Sequence, residues 1–455
     1  MLFNSAEYIF LFLPLCILLY YYLKSNTGKI IGLILLSIYF YMVAYPAYIL
    51  VLFGLIVVDF LAAQIIHKCK GLQRKFWLIL ALSLNVLLLA GFKYYNFFSQ
   101  NLGFMGIALP KHAWILPVGL SFHTFQSMSY LIEVYRKSFP VEKNILQYSL
   151  YVLFFPQMVA GPIERPQNLI HQFYSLPTFD TENLKQGFFL FARGLFMKVA
   201  VADRLTLLVD PVFASSEKAS SWQCLTAIVF FSIQIYADFS GYSNMALGSA
   251  RMLGINLMVN FKQPYLAESL SEFWRKWHIS LSTWFRDYLY FPLGGNRSGT
   301  GKTIFNILII FCMSGLWHGA GWNYILWGLL HGIGLSMETV SNRLKFPRIP
   351  SWIRLIRTQL WVVFCWVFFR AYNLDSAFGI FKSLFYNGNS AINLEFSSSE
   401  ILYGFTISFM ILISERFQIQ EFIFRKFGWA FTLSILVFSY FLGNFNSSTF
   451  IYFQF

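Results

Sequence analysis

Charge is scarce in this 455-residue chain: Asp, Glu, Lys and Arg make up only 12% of it, where soluble domains carry about 25%. That shortage excludes an ordinary soluble domain and a solvated disordered chain alike. Acidic residues are the rarer sign, 20 against 34 basic, leaving a formal net charge of +14. Cysteine occurs five times (Cys16, Cys69, Cys224, Cys312, Cys365), four of them within or beside apolar runs. Neither a disulfide framework nor a zinc site is indicated. The seven histidines, at 67, 112, 123, 171, 278, 318 and 331, show none of the close grouping that a three- or four-ligand zinc centre needs. No Ser/Gly/Pro-rich linker and no internal repeat interrupts the chain, so one membrane-embedded domain is the simplest organisation.

What fills the sequence instead is apolar: 57% hydrophobic and 20% aromatic residues, with a mean hydropathy of +0.57. Apolar runs recur at 6–23, 30–43, 47–66, 76–92, 145–160, 187–209, 222–237, 303–318, 322–337, 358–370, 401–414 and 428–443. A hydrocarbon core of about 30 Å needs about 20 such residues per crossing, which predicts an all-α polytopic protein of about 11 transmembrane or re-entrant helices. The opening "MLFNSAEYIFLFLPLCILLYYYLK" lacks a basic start and a small-residue cleavage site, so it reads as a first transmembrane helix, not a signal peptide. The basic residues gather in short loops, "HKCKGLQRK" (67–75), "RSGTGK" (297–302) and "NRLKFPR" (342–348). By the positive-inside rule these are cytoplasmic and the N-terminus is outside; the charge does not call for nucleic acid. "GGNRSGTGKT" (294–303) looks like a nucleotide-binding loop, but the first glycine falls one position out of register.

Chemistry concentrates in 238–302, the longest amphiphilic interruption. Ser269 and Glu272 have capping-box spacing. Leu270, Phe273, Trp274, Trp277, Leu281, Trp284, Phe285 and Tyr288 follow at three- and four-residue steps. One amphipathic helix is predicted, with Glu272, Lys276 and Asp287 off its apolar face and His278 turned inwards. Two readings of His278 stand side by side: an interfacial structural histidine, or a reactive one.

"FCMSGLWHGAGWNYILWGLLHG" (311–332) sets His318 among Gly315, Gly319 and Gly321. A straight helix over 303–337 would be about 52 Å long at 1.5 Å per residue, too long for one crossing. A break at the glycines is predicted. Non-helical backbone at membrane depth survives only against protein or a water-filled cavity, and an ionisable group there is a functional candidate. The competing reading is a histidine that ties two half-helices together. His331, 13 residues on and rotated away by about 140° at 100° per residue, is expected to pack elsewhere. With inward histidines, no metal cluster and no serine elbow, the chemistry that fits is proton transfer from a hydroxyl attacking an activated acyl group.

These stretches carry a resemblance. "EFWRKWHISLSTWFRDYLYFPLGGNR" (272–297) and "SGLWHGAGWNYILWGLLHG" (314–332) resemble the membrane-bound O-acyltransferases, specifically the bacterial branch whose members O-acetylate alginate and peptidoglycan. "PVGLSFHTFQSMSYLIEVYR" (117–136), "FFPQMVAGPIERP" (154–166) and "ADFSGYSNMALGSARMLGINLMVNF" (237–261) extend it over almost the whole chain. The resemblance implies a ring of tilted helices around a central tunnel, with N-terminal helices over 1–110, a catalytic core over 114–340, C-terminal helices over 355–445 and a tail over 446–455. It makes His318 the catalytic histidine and His278 the second one, with Asp238, Tyr242, Arg251, Trp317 and Asn323 as tunnel or structural support. His123 stands where relatives also carry an aromatic residue and is not counted as catalytic.

The same resemblance implies transfer of an acyl group, most simply acetyl, from a cytoplasmic thioester donor to an extracytoplasmic polysaccharide, completed by an SGNH-type or lipase-like partner enzyme. The donor is acetyl-coenzyme A or a carrier-protein thioester. No tightly bound cofactor and no nucleic acid are expected, and the setting is a bacterial inner membrane. The terminal "FNSSTFIYFQF" (445–455) resembles the tail of the small companion protein of teichoic-acid D-alanylation, which makes Tyr452 a candidate acyl carrier. A phenol of pKa near 10 needs a base to act as a nucleophile at neutral pH. The alternative for the tail is an aromatic anchor at the membrane interface. From another class, a transporter or flippase for a lipid-linked glycan also accounts for buried polar groups in a wet cavity.

Overall fold

The computed structural model describes residues 1–43, 46–107, 109–112, 114, 116–117, 119–158, 161–297, 299–344, 349–385, 396–445 and 450–451. Among them every regular element is helical. Among the described residues five helices are long and apolar enough to cross a bilayer: Pro46–Lys68, Gly71–Lys93, Ser221–Met252, Thr300–His318 and Ser351–Arg370. Tyr8–Tyr22, Asn26–Met42 and Trp429–Leu442 are apolar but shorter. The Gly71–Lys93 helix buries little of itself against protein and leaves Ile79, Leu84 and Leu87 exposed. Apolar side chains with no protein neighbour on a helix of this length are a lipid-facing surface, and a helix can stand in lipid because it satisfies its own backbone.

The described residues form two compact units, Met1–Phe191 with Tyr242–Met258, and Ala192–Gly241 with Val259–Phe455. In the first, the hairpin of Pro46–Lys68 and Gly71–Lys93 packs on the helix Leu120–Arg136. Its buried Asp59 accepts a hydrogen bond from Asn85 Nδ2 at 2.8 Å. Tyr8 and Ser249 share a buried hydroxyl hydrogen bond of 2.7 Å.

The second unit has an aromatic core in which Trp277, Trp284, Trp327 and Trp366 are almost wholly buried. The predicted break at the glycines is present: Thr300–His318 ends at extended Gly319, and Trp322–Arg343 begins after Gly321. The two helices then cross closely. A Cβ on Gly315 would lie 2.2 Å from Tyr324 O, and one on Gly328 2.0 Å from Phe311 O. Only glycine permits that approach.

The amphipathic helix expected over 269–288 is corrected by the structure. It divides into Leu270–Lys276 and Ile279–Phe285, with His278 between them at φ 44° in the left-handed region. The cause is a distant backbone segment: Lys262 N donates to Lys276 O at 3.0 Å and Ile279 N to Asn260 O at 2.9 Å, so both flanking groups are bonded outside the helix. The apolar face survives the break, because Leu270, Phe273, Trp274, Trp277, Leu281, Trp284, Phe285 and Tyr288 are all buried. Ser269 caps Glu272 N at 3.1 Å as expected, while the Glu272 carboxylate accepts from Glu268 N, one residue before the cap.

Candidate active site

Two broken helices bring the two motif histidines together. His318 is the last residue of its helix because Gly319 turns extended, and His278 occupies the left-handed joint between Leu270–Lys276 and Ile279–Phe285. Their ring centroids lie 6.3 Å apart, and the residues are 4% and 1% exposed. Around His318 stand Trp317 at 4.9 Å, Trp327 at 5.0 Å and Phe369 at 5.3 Å. Phe239 meets the His278 ring edge-on at 4.7 Å and Trp317 lies 6.0 Å from it. Aromatic walls of this kind fix ring orientation and exclude bulk water.

Asn323 serves the joint from the other side. Its Nδ2 donates to Ala371 O at 2.9 Å and Phe368 O at 3.3 Å, tying the start of Trp322–Arg343 to the end of Ser351–Arg370. His331 is fully buried among Trp274 (4.9 Å), Trp327 (5.2 Å) and Phe273 (6.5 Å). It packs in the aromatic core and shares Trp327 with His318; the helix break between the two residues removes the continuous rotation on which the sequence reading relied. His123 is likewise buried, in the other unit.

Asp238 is 1% exposed and pairs with Lys198 Nζ at 2.7 Å. Lys198 pairs at the same distance with Asp203. The Asp238 carboxylate also accepts the backbone N–H of Ile451 at 2.8 Å. Tyr242 and Arg251 belong to the first unit: Tyr242 donates to Asn4 Oδ1 at 2.8 Å, and Arg251 bonds Gln186 at 2.9 Å and Asn256. Both make structural contacts there. Tyr452 lies outside the described residues. Sequence reasoning passed over Lys198 and Asp203, although a lysine inside the apolar "LFMKVAVA" is the kind of intramembrane charge that marks a buried pair.

A cavity of about 450 Å³ adjoins this region along the 300–318 helix. Trp274, Ser282, Tyr290, Phe311 and Ser314 line it together with Arg275 and Arg286. Ser314 lies one helical turn before His318. Among the described residues no group of three or more His, Cys, Asp or Glu side chains could hold a metal ion. The assembled chemistry is therefore two imidazoles in an aromatic, water-poor site beside a mainly apolar cavity with a basic wall.

Comparison with known proteins gives this arrangement a family. The profile of the MBOAT, membrane-bound O-acyltransferase, family matches residues 134–373. A probable alginate O-acetylase of Pseudomonas aeruginosa is 38% identical over 85% of this chain and 75% of its own length. A peptidoglycan O-acetyltransferase of Helicobacter pylori is 36% identical over 88% of this chain and 83% of its own. A teichoic acid D-alanyltransferase of Streptococcus thermophilus is 30% identical over 50% and 58%. With His278 and His318 both inside the matched span, the chain belongs to the membrane-bound O-acyltransferase family.

Proposed function

We propose that this O-acyltransferase moves an acetyl group from a cytoplasmic thioester, acetyl-coenzyme A or a carrier-protein thioester, to an envelope or secreted polysaccharide such as alginate or peptidoglycan. The observation that carries the reading is the 6.3 Å approach of His278 and His318 at the two helix breaks. His318 is the general base. It takes the proton from an attacking hydroxyl, the oxygen forms the new C–O bond, the C–S bond breaks, and the proton passes to the departing thiolate. His278 supports the same transfer from the facing wall. Arg275 and Arg286 at the neighbouring cavity suit the phosphates of a coenzyme or phosphopantetheine arm.

In this reading the first nucleophile is the Tyr452 phenol, which becomes a tyrosyl ester. A polysaccharide hydroxyl then attacks that ester on an extracytoplasmic SGNH-type or lipase-like partner, and Tyr452 recovers its proton. The chain lies in a bacterial inner membrane with its N-terminus outside and the basic loops 67–75, 297–302 and 342–348 in the cytoplasm.

The test is the amount of mild-base-labile ester on envelope and extracellular glycans from cells with the wild-type protein, His318→Ala or no copy, membrane abundance being checked by blot. Ester in His318→Ala should match the deletion at normal abundance. Unchanged ester would leave His318 a structural residue and sink the assignment. Peptide mass spectrometry of the trapped protein should find the acyl adduct on Tyr452; its consistent absence would remove the carrier step.

A further inference from the structure

The second unit buries a group of charges, one of which, Asp238, directly precedes the Phe239 ring that meets His278. Lys198 Nζ stands 2.7 Å from Asp203 Oδ1 and 2.7 Å from Asp238 Oδ1, with all three side chains 1% exposed. One cation between two carboxylates leaves a net negative charge in a dry interior, which costs heavily unless further donors compensate it. A compensating donor comes from the far end of the chain: Ile451 N donates to Asp238 Oδ2 at 2.8 Å. A backbone N–H on an ionised carboxylate is among the stronger hydrogen bonds.

The same node grips the tail at a second point. Residues Met197–Ala202 are a π-helix, whose wider turn frees carbonyls from the ordinary ladder. Val199 O accepts Asn444 N at 2.9 Å, Ala200 O accepts the Tyr403 hydroxyl at 2.7 Å, and Asn444 Nδ2 donates to Asp203 O at 3.2 Å. The chain leaving Trp429–Leu442 is thus held at Asn444 and again at Ile451, each time on Lys198–Asp203–Asp238 or the turn that carries it. Phe450, fully buried, packs on Phe239 at 5.8 Å, and Phe239 is the ring against His278.

We propose that the buried Lys198–Asp203–Asp238 triad is a positioning latch: it clamps the C-terminal tail through the Ile451 amide and so holds Phe450, two residues before Tyr452, one aromatic ring from His278. The latch is a property of the fold; its use in transfer rests on the carrier reading above. Asp238 and Lys198 act through the tail and touch no substrate.

The test follows hydrogen–deuterium exchange of the terminal peptide in the full-length protein in nanodiscs, alongside cellular ester content. In Asp238→Ala and Lys198→Met the terminal amides should exchange at least about tenfold faster than in wild type, as expected on loss of a local protecting structure, while Asp238→Asn, which keeps an acceptor oxygen, recovers part of the protection. Ile451→Pro removes the donated N–H, with the buried Ile451 side chain, fixes φ and restricts Phe450, but keeps all three triad residues, so it covers the case in which the triad variants misfold; it too should free the tail and lower ester content. A wild-type tail that already exchanges as fast as in Ile451→Pro would overturn the latch. Full ester content in Ile451→Pro would overturn its positioning role. In His318→Ala the tail should stay protected while ester is lost; protection with ester retained would instead defeat the catalytic reading and leave the latch standing.

Discussion

His278 and His318 face one another across 6.3 Å, each placed by a helix that stops where a continuous helix would have carried the ring away. His318 is aimed by the extended Gly319 that ends its helix. His278 is aimed by a left-handed backbone at φ 44°, a conformation that costs ordinary L-residues about 1–2 kcal/mol and that Asn tolerates best after Gly. Backbone and imidazole can therefore be tested separately. His278→Asn should accumulate in membranes at the wild-type level and still lose most of its transfer. His278→Val, β-branched at positive φ, should lose abundance as well. Equal abundance of the two variants on a membrane blot would show that the left-handed joint does not constrain this position.

The two breaks differ in how legible they were. Gly315, Gly319 and Gly321 stand in a run too long for one crossing, so the break after His318 could be read from local sequence. The break at His278 could not, because "EFWRKWHISLSTWF" keeps helical periodicity straight through it. What opens it is backbone bonding to Asn260 and Lys262, a long-range event that outweighs local propensity. The apolar face was right for the same reason: burial follows side-chain periodicity, and each half-helix keeps its phase. The Lys198 node was hidden differently. Its partners Asp203 and Asp238 lie 5 and 40 residues along the chain, and nothing in the spacing of "MKVAVADR" points to the second carboxylate or to Ile451.

The glycine crossing predicts steric intolerance. Gly315→Ala and Gly328→Ala each drive a Cβ into a backbone carbonyl, at 2.2 Å from Tyr324 O and 2.0 Å from Phe311 O, where no flexible side chain can yield. Overpacking of this kind costs about 1–3 kcal/mol and here displaces the very helices that hold His318. Thermal stability in detergent and ester content should fall together. Gly301→Ala, on the same helix with nothing within 4 Å of its added Cβ, is the control and should match wild type. A harmless Gly315→Ala would mean that the two helices can part without consequence.

Glu164 predicts a pH effect in the first unit. It lies in the connection before the helix Pro166–Phe173, outside the membrane-spanning helices, and is wholly buried. Burial raises its pKa from 4.5 to about 7, against the opposing hydrogen bonds from Met258 N and Asn168. The folded state therefore holds this proton more tightly than the unfolded chain, so its contribution is complete below pH 4.5 and is lost as pH rises towards 7. Melting curves of wild type and Glu164→Gln between pH 5 and 8 should converge or cross as pH rises, the wild type losing the more. Parallel curves would show that the carboxyl is ionised throughout.

His331 is a third imidazole buried in the second unit. It is 0% exposed, and neither ring nitrogen has a hydrogen-bond partner among the described residues; its neighbours are Phe273, Trp274, Trp327 and Trp366. A buried polar group without partners costs about 1–3 kcal/mol, a cost that an apolar side chain of similar volume avoids. His331→Met should therefore fold at least as stably as wild type and keep its ester transfer, while His318→Ala, at the end of the preceding helix, should abolish it. Melting temperature and glycan ester content, measured on the same preparations, decide the matter. Loss of ester in His331→Met with stability intact would show that transfer needs this imidazole and that the site extends from the helix joint into the tryptophan core.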